Sequence, residues 1–252
     1  MPLERHKLMQ YLNDYLKPQT FSDYTCNGLQ VEGKAHIQTL VTGVTASQAL
    51  IDAAIEQQAD AILVHHGYFW KNEPDALVGM KHRRIKALIQ NDINLLAYHL
   101  PLDAHAEVGN NVQLGHKLGL QAIEVSSAAK QALLWTGKTA QPLTTTEFAA
   151  LIERKLDRAP LTIVAGDKAI ETVAWCTGGA QDYIDLAAEL GVDAFISGEA
   201  SERTYHSAIE QGVHYFGAGH HATERYGVQA LGAHLQKKFN LNWLHIDIDN
   251  PI

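Results

Sequence analysis

Hydrophobic positions fall into short continuous runs separated by amphipathic stretches. TLVTGVT (39–45) is rich in β-branched residues, and DAILVHH (60–66) and INLLAY (93–98) each hold a short apolar run. That is the pattern of strands. Between them, SQALIDAAIEQ and HRRIKALIQ place apolar residues three and four apart, the spacing of a helix with one buried face. The same grammar returns in TVAWCTG, AQDYIDLAAEL, DAFISGE, SERTYHSAIE and VHYFGAG. At the start of the chain, MPLERHKLMQYLNDYLK reads as an amphipathic helix. At the end, GVQALGAHLQKK reads as a helix leading into a last strand, NWLHIDI.

The recurrence is a sequence repeat. Residues 31–66 align without a gap to residues 164–199, and eleven of the 36 positions are identical, among them Asp60/Asp193 and Thr39/Thr172. Chance would give roughly two. The expected fold is therefore α/β, with two related lobes built from duplicated strand–helix–strand units. The expected lobes are residues 1–126 and 127–252, with the Ser/Thr/Ala-rich stretch 123–145 linking them. FWKNEPDALVGMK (69–81) has no counterpart in the second half, and its Pro and Gly mark it as a loop.

Composition narrows the chemistry. Formal charge is −8, which opposes broad contact with a nucleic-acid backbone. KHRRIK (81–86) is read as a solvated helix face. No apolar run approaches bilayer length, and the first residues lack the apolar core of a signal peptide. Cys26 and Cys176 form neither a zinc-finger spacing nor a disulfide framework. A cytoplasmic protein is expected. Fourteen histidines raise the expectation of a metal site.

In open α/β sheets, ligands bind beyond the carboxyl ends of strands. Four such ends can be located, and they carry His65-His66-Gly67, His99 through Asp103, Gly198-Glu199 and His220 through Glu224. Neighbouring strand residues point to opposite faces. At a strand end followed by glycine, both imidazoles can turn to one cleft. Asp103 adds an anionic oxygen, presented by a turn that Pro101 stiffens. His220 and Glu224, four apart, share a face once a helix begins. Each element has a plainer reading. His65 and His66 fit one buried and one exposed histidine, Asp103 fits the cap of the helix in AEVGNNVQLGHKLG, and Glu224 fits the acid of a solvated first turn.

The stretch GAGHHA (217–222) also fits the G-x-G-x-x-G/A dinucleotide fingerprint. Glu224 in or near the first helical turn would repel a pyrophosphate, and no complete βαβ unit follows. A metal reading suits the stretch better. No G-x-x-x-x-G-K-[ST] loop occurs.

DYTCNGLQVEG, VTGVTASQALIDAAI, ADAILVHHGYFW, HLPLDAHAEVGNN and GHHATE together resemble the GTP cyclohydrolase I type 2 homologue family, the YbgI-like and Nif-three-like dinuclear metal proteins. The resemblance covers nearly the whole chain. It implies a two-lobed α/β subunit, two divalent metal ions per subunit held by His65, His66, Asp103, His220 and Glu224, and a toroidal homohexamer. His and carboxylate donors admit Zn, Mn, Fe, Co or Ni. Metal-dependent hydrolysis of an unidentified small molecule is the leading expectation, since paired cations roughly 3.5–4 Å apart lower the pKa of bound water. His65 and His220 are assigned to one ion and His66 and Asp103 to the other, with Glu224 bridging. His99, His221 and Glu199 are candidates for ligand orientation or proton transfer. The alternative function is a non-enzymatic, metal-dependent scaffold or regulatory protein with the same ligands. Guanine or triphosphate recognition cannot be read from these residues.

Overall fold

The computed structural model describes residues 2–252. The chain forms two compact units. The first runs to Leu102 and takes back Gly227–Asp249, while the second holds Asp103–Tyr226 and the last three residues.

The first unit contains β1 (Leu3–Glu4), α1 (Arg5–Leu16), β2 (Gly28–Val31), β3 (His36–Ile37), β4 (Thr39–Thr45), α2 (Gln48–Glu56), β5 (Ala61–His66), α3 (Gly79–Gln90) and β6 (Asn94–Ala97). A one-turn helix, α4 (Leu100–Ala104), follows. Helix α1 buries Leu8, Leu12 and Leu16 at the four-residue spacing of one stripe. Ser47 caps α2, its hydroxyl accepting from the Leu50 amide.

The second unit contains α5 (Asn110–Leu118), β7 (Gln121–Val125), β8 (Trp135–Leu143), α6 (Thr145–Leu156), β9 (Leu161–Ile163), β10 (Ile170–Trp175), α7 (Ile184–Glu189), β11 (Ala194–Ser197), α8 (Glu202–Gln211) and β12 (His214–Gly217). Helix α9 (His220–Phe239) starts in this unit and ends in the first, where β13 (Asn242–His245) closes the chain.

The first unit's main sheet has the order β13-β4-β5-β6-β2, and the second's has β7-β8-β10-β11-β12-β9. Strands β4-β5-β6 and β10-β11-β12 are both parallel, each joined by helices. Parallel runs buried on both sides explain the near-continuous apolar sequences. Val41, Ile62, Val64 and Leu95 centre one core; Val173, Trp175, Ile196 and Phe216 centre the other.

The aligned halves also share a hydrogen-bonded turn. Asp60 Oδ2 accepts the amides of Gln38 and Thr39, each at 2.9 Å. Asp193 Oδ2 accepts those of Glu171 and Thr172, at 3.0 and 2.8 Å. Both sets sit at equivalent positions of the repeat, where a strand entering the sheet needs its unpaired amides satisfied.

Two expectations differ from the structure. The stretch 123–145 is not a linker: it holds the end of β7 and all of β8, which pair antiparallel and join β10. Strand β7 leaves most of its residues exposed, so its sequence resembles a loop. The compact units also divide elsewhere than at residue 126. Strand β13 pairs with β4 in the first unit, whereas α5 and β7 pack within the second.

Candidate metal centre

His65 and His66 end β5, and His99 follows β6, the next parallel strand. The strand ends thus deliver three imidazoles to one place, as the sheet rule requires. One ring nitrogen of each lies within 4.8 Å of one from each of the others. His65 is fully buried and His66 half-buried. His66 is thus not the exposed histidine of the plainer reading, and the two ring centroids are only 4.5 Å apart. Gly67 is needed for space rather than for φ. A Cβ there would meet the Gln30 carboxamide oxygen at 2.1 Å, and that oxygen accepts the Tyr68 amide.

Each imidazole is oriented through Nδ1. His65 Nδ1 donates to the Tyr98 carbonyl at 3.0 Å, and His99 Nδ1 donates to Asp23 Oδ1 at 2.7 Å. His66 Nδ1 lies 3.2 Å from Thr45 Oγ1. For His65 and His99, an acceptor on Nδ1 puts the lone pair on Nε2, the arrangement seen in ligating histidines. Burial works to raise the Asp23 pKa, but bonds from His99, Asn27 and the Tyr24 amide outweigh it and hold the carboxyl below its usual range.

In the second unit, Asp103 sits on α4 and is 5% exposed. It is not the cap of α5, a position Gly109 occupies. Its Oδ1 accepts from the Asn110 amide at 2.9 Å and the Thr177 hydroxyl at 3.2 Å. Asn111 reinforces this, accepting the Thr177 amide and donating to the Asp103 carbonyl.

Helix α9 begins at His220, so Glu224 comes one turn later, 2% exposed. His220 stands between two carboxylates, with Nδ1 2.6 Å from Glu199 Oε1 and Nε2 3.0 Å from Glu224 Oε2. Burial would lower its pKa, but the bonds and charge of Glu224, then Glu199, push it up to about 9. Asp103 and Glu224 also act together on Cys176, whose thiol is pushed well up, first by burial and then by these two charges. His221 is buried, and its backbone amide donates to the Ile252 carbonyl.

Glycines shape this end of the sheet. Gly178 has φ +69°, and a Cβ there would meet Glu224 Oε1 at 2.0 Å. Gly198, the repeat counterpart of His65, would place a Cβ 2.7 Å from both the Gly178 carbonyl and the His220 Cα. No side chain fits, so the second half cannot repeat the first half's histidine. In the former fingerprint, Gly219 has φ +98°, whereas a Cβ at Gly217 would make ordinary contacts. The carboxylate opposite His220 leaves that helix start unsuited to a pyrophosphate.

The donors fit divalent cations. The first unit offers three imidazoles, and the second offers the buried carboxylates of Asp103 and Glu224 with one imidazole, His220. Buried anions in such excess favour a cation. Sequence reasoning passed over Asp23, Asn110, Asn111 and Thr177 as individual residues. DYTCN and AEVGNN, both within the resembling segments, were the available signal.

The chain also matches a known family over nearly its whole length. The Duf34/NIF3 (NGG1p interacting factor 3) profile matches residues 3–251, and the chain belongs to that family. Relatives named "GTP cyclohydrolase 1 type 2 homolog" include one from Vibrio cholerae, 58% identical over 248 residues and covering 98% of each chain. One from Pseudomonas aeruginosa is 52% identical over the full length of both. Among solved structures, protein ybgI, described as of unknown function, is 50% identical with a TM-score of 0.95, covering 99% of this chain and 100% of that one.

Proposed function

We propose that the protein is a dinuclear metal hydrolase in which His65, His66, Asp103, His220 and Glu224 hold two divalent ions. The observation that carries this reading is the orientation of the imidazoles. His65 and His220 each have Nδ1 directed at a fixed acceptor, a carbonyl in one case and Glu199 in the other. When bound, such ions supply Lewis acidity and an activated water.

The chain's own residues do the rest. Glu199 holds the His220 ring and offsets its charge. Asn110 and Thr177 fix Asp103 Oδ1. Trp70, with its ring 5.0 Å from His99 and nearly perpendicular to it, forms an apolar wall beside the histidines. Glu224, whose carboxylate has two oxygens, would be the ligand shared by the two ions.

The reaction is proposed as hydrolysis at a carbonyl, amidine-like or phosphoryl centre of a small molecule. The relatives' shared name points towards cyclohydrolase chemistry and supports nothing narrower. A toroidal homohexamer in the cytoplasm completes the proposal. No described helix is long and apolar enough to cross a membrane. The test is a turnover screen over nucleotides, cyclic amides and phosphoesters with metal-loaded protein. Turnover lost in His66→Ala and Asp103→Ala supports the enzyme. Firm metal binding with no turnover on any class would favour a metal-dependent scaffold instead.

A further inference from the structure

The two halves of the repeat put opposite charge on equivalent helices. Helix α3 joins β5 to β6 and helix α8 joins β11 to β12, so each bridges the same pair of parallel strands in its own sheet. Each packs beside the helix before it, α2 in the first unit and α7 in the second. Helix α3 carries four basic residues and no acid, which against Asp52 and Glu56 of α2 leaves that pair at +2. Asp185, Glu189, Glu202 and Glu210 against Arg203 leave α7 and α8 at −3. Lys81 turns inward to Glu73. Among the described residues, no ion pair engages Arg83, Arg84 or Lys86 on one face, or Glu189 and Glu210 on the other.

Both faces also expose apolar side chains. Leu77 and Val78 precede α3, Met80 begins it and Ile89 stands in its last turn; all four are exposed, Val78 by 69%. Leu77, Ile85 and Ile89 line a groove of about 230 Å³, with Lys86 at its edge. On α8, Tyr205 and Ile209 lie one turn apart, and Glu202 shares their face. Tyr205 is 56% exposed, and Leu190, just after α7, is exposed beside them in sequence order. Apolar patches rimmed by charge mark interaction surfaces. An anionic bilayer suits the basic face poorly as an occupant, because the chain as a whole carries −8. A second copy supplies what α3 lacks, acids around exposed apolar side chains on a helix of similar length, 10 residues against 12.

We infer that the α3 face of one copy docks on the α8 face of a second copy, apolar against apolar, with Arg83 and Lys86 set against Glu202 and Glu210. The contact is heterologous, since each copy uses a different surface from its partner. Pairings of like faces, α3 with α3 or α8 with α8, are disfavoured by their like charge. Divergence of the duplicated helices thus sets which surfaces meet. The inference rests on the self-association in the proposed function, to which it gives a contact, and is independent of the metal chemistry.

The test follows self-association of the full chain by sedimentation in about 0.1 M salt. Arg83→Glu with Lys86→Glu, and separately Glu202→Lys with Glu210→Lys, should each weaken association about tenfold or more. An equimolar mixture of the two reversed proteins should associate as wild type does, and so should a chain carrying all four changes. Val78→Ser with Ile89→Ser should weaken association too, and that loss should persist at about 0.5 M salt, where charge effects are screened. Circular dichroism confirms that each variant is folded. Either reversed protein associating within twofold of wild type, or a mixture that fails to restore association, overturns the inference. Reversal on α3 that abolishes capture by phosphatidylserine vesicles while leaving self-association intact also overturns it, in favour of a membrane surface. Wild-type protein that assembles regardless of every variant sinks only this contact; wild-type protein that stays monomeric sinks the proposed homohexamer with it.

Discussion

Replacing Asp193 by Asn tests the turn that admits β10 to the second unit's sheet. The carboxylate accepts two amides and the Thr172 hydroxyl, all at 2.8–3.0 Å, and pairs with Lys168. Burial works against ionisation, but Lys168 and these donors outweigh it and lower the pKa from 3.8 to about 2. At 1.36 kcal/mol per decade, this favours the folded, ionised form by about 2.4 kcal/mol. Lys168 is two-thirds exposed, so solvent screens its share and about 2 kcal/mol is the better figure. The folded value is depressed, so the contribution is present above 3.8 and is lost as pH falls through about 2. Asn cannot ionise and turns an N–H₂ toward one set of donors. Urea unfolding at pH 7 should show the Asn variant less stable by about 2 kcal/mol, a large share of a marginal total. The gap should narrow between pH 4 and pH 2. A variant within about 0.5 kcal/mol of wild type at pH 7, the ordinary range for a surface change, would refute the reasoning.

Three further outcomes follow from the site. His220 is protonated below about 9 in the metal-free protein, so binding must displace that proton. Affinity should rise about tenfold per pH unit up to that value, with close to one proton released at pH 7.5 by calorimetry in two buffers; no release would contradict the flanking role of Glu199 and Glu224. Gly178→Ala forces a Cβ onto Glu224 at a left-handed backbone position and should weaken metal binding at least about tenfold while the protein stays folded; unchanged affinity would show that Glu224 does not need its observed place. Thiol labelling of native protein should modify Cys26 and spare Cys176, which is buried with its thiol pushed well up; rapid labelling of both would contradict the closed core around Asp103 and Glu224.

The parallel strands were legible because both of their faces are buried, which writes β4, β5 and β11 as apolar runs. The repeat was legible because the turn at Asp60 and Asp193 demands the same side chain twice. Strand β8 was not, since WTGKTAQPL buries only Trp135 and Gly137 fully and its polar residues resemble a linker. The division into units was illegible for a different reason. Asn242 pairs with Thr39 across the whole chain, and no local pattern records such a partner. The same holds for the site. His65, His66 and His220 stand at strand ends that periodicity locates, whereas the contact between Asp23 and His99 spans 76 residues. Gly198 was visible as a departure from the repeat, but its cause, the approach of Gly178 and His220, is purely spatial.

Metal content tests the central claim most directly. Purified protein, stripped and reconstituted with Zn²⁺ or Mn²⁺ and freed of excess ion, is analysed by inductively coupled plasma mass spectrometry. The account predicts about two ions per chain, falling clearly in His66→Ala and Asp103→Ala variants that remain folded. Fewer than about one ion per wild-type chain, or full metal in both variants, would contradict it.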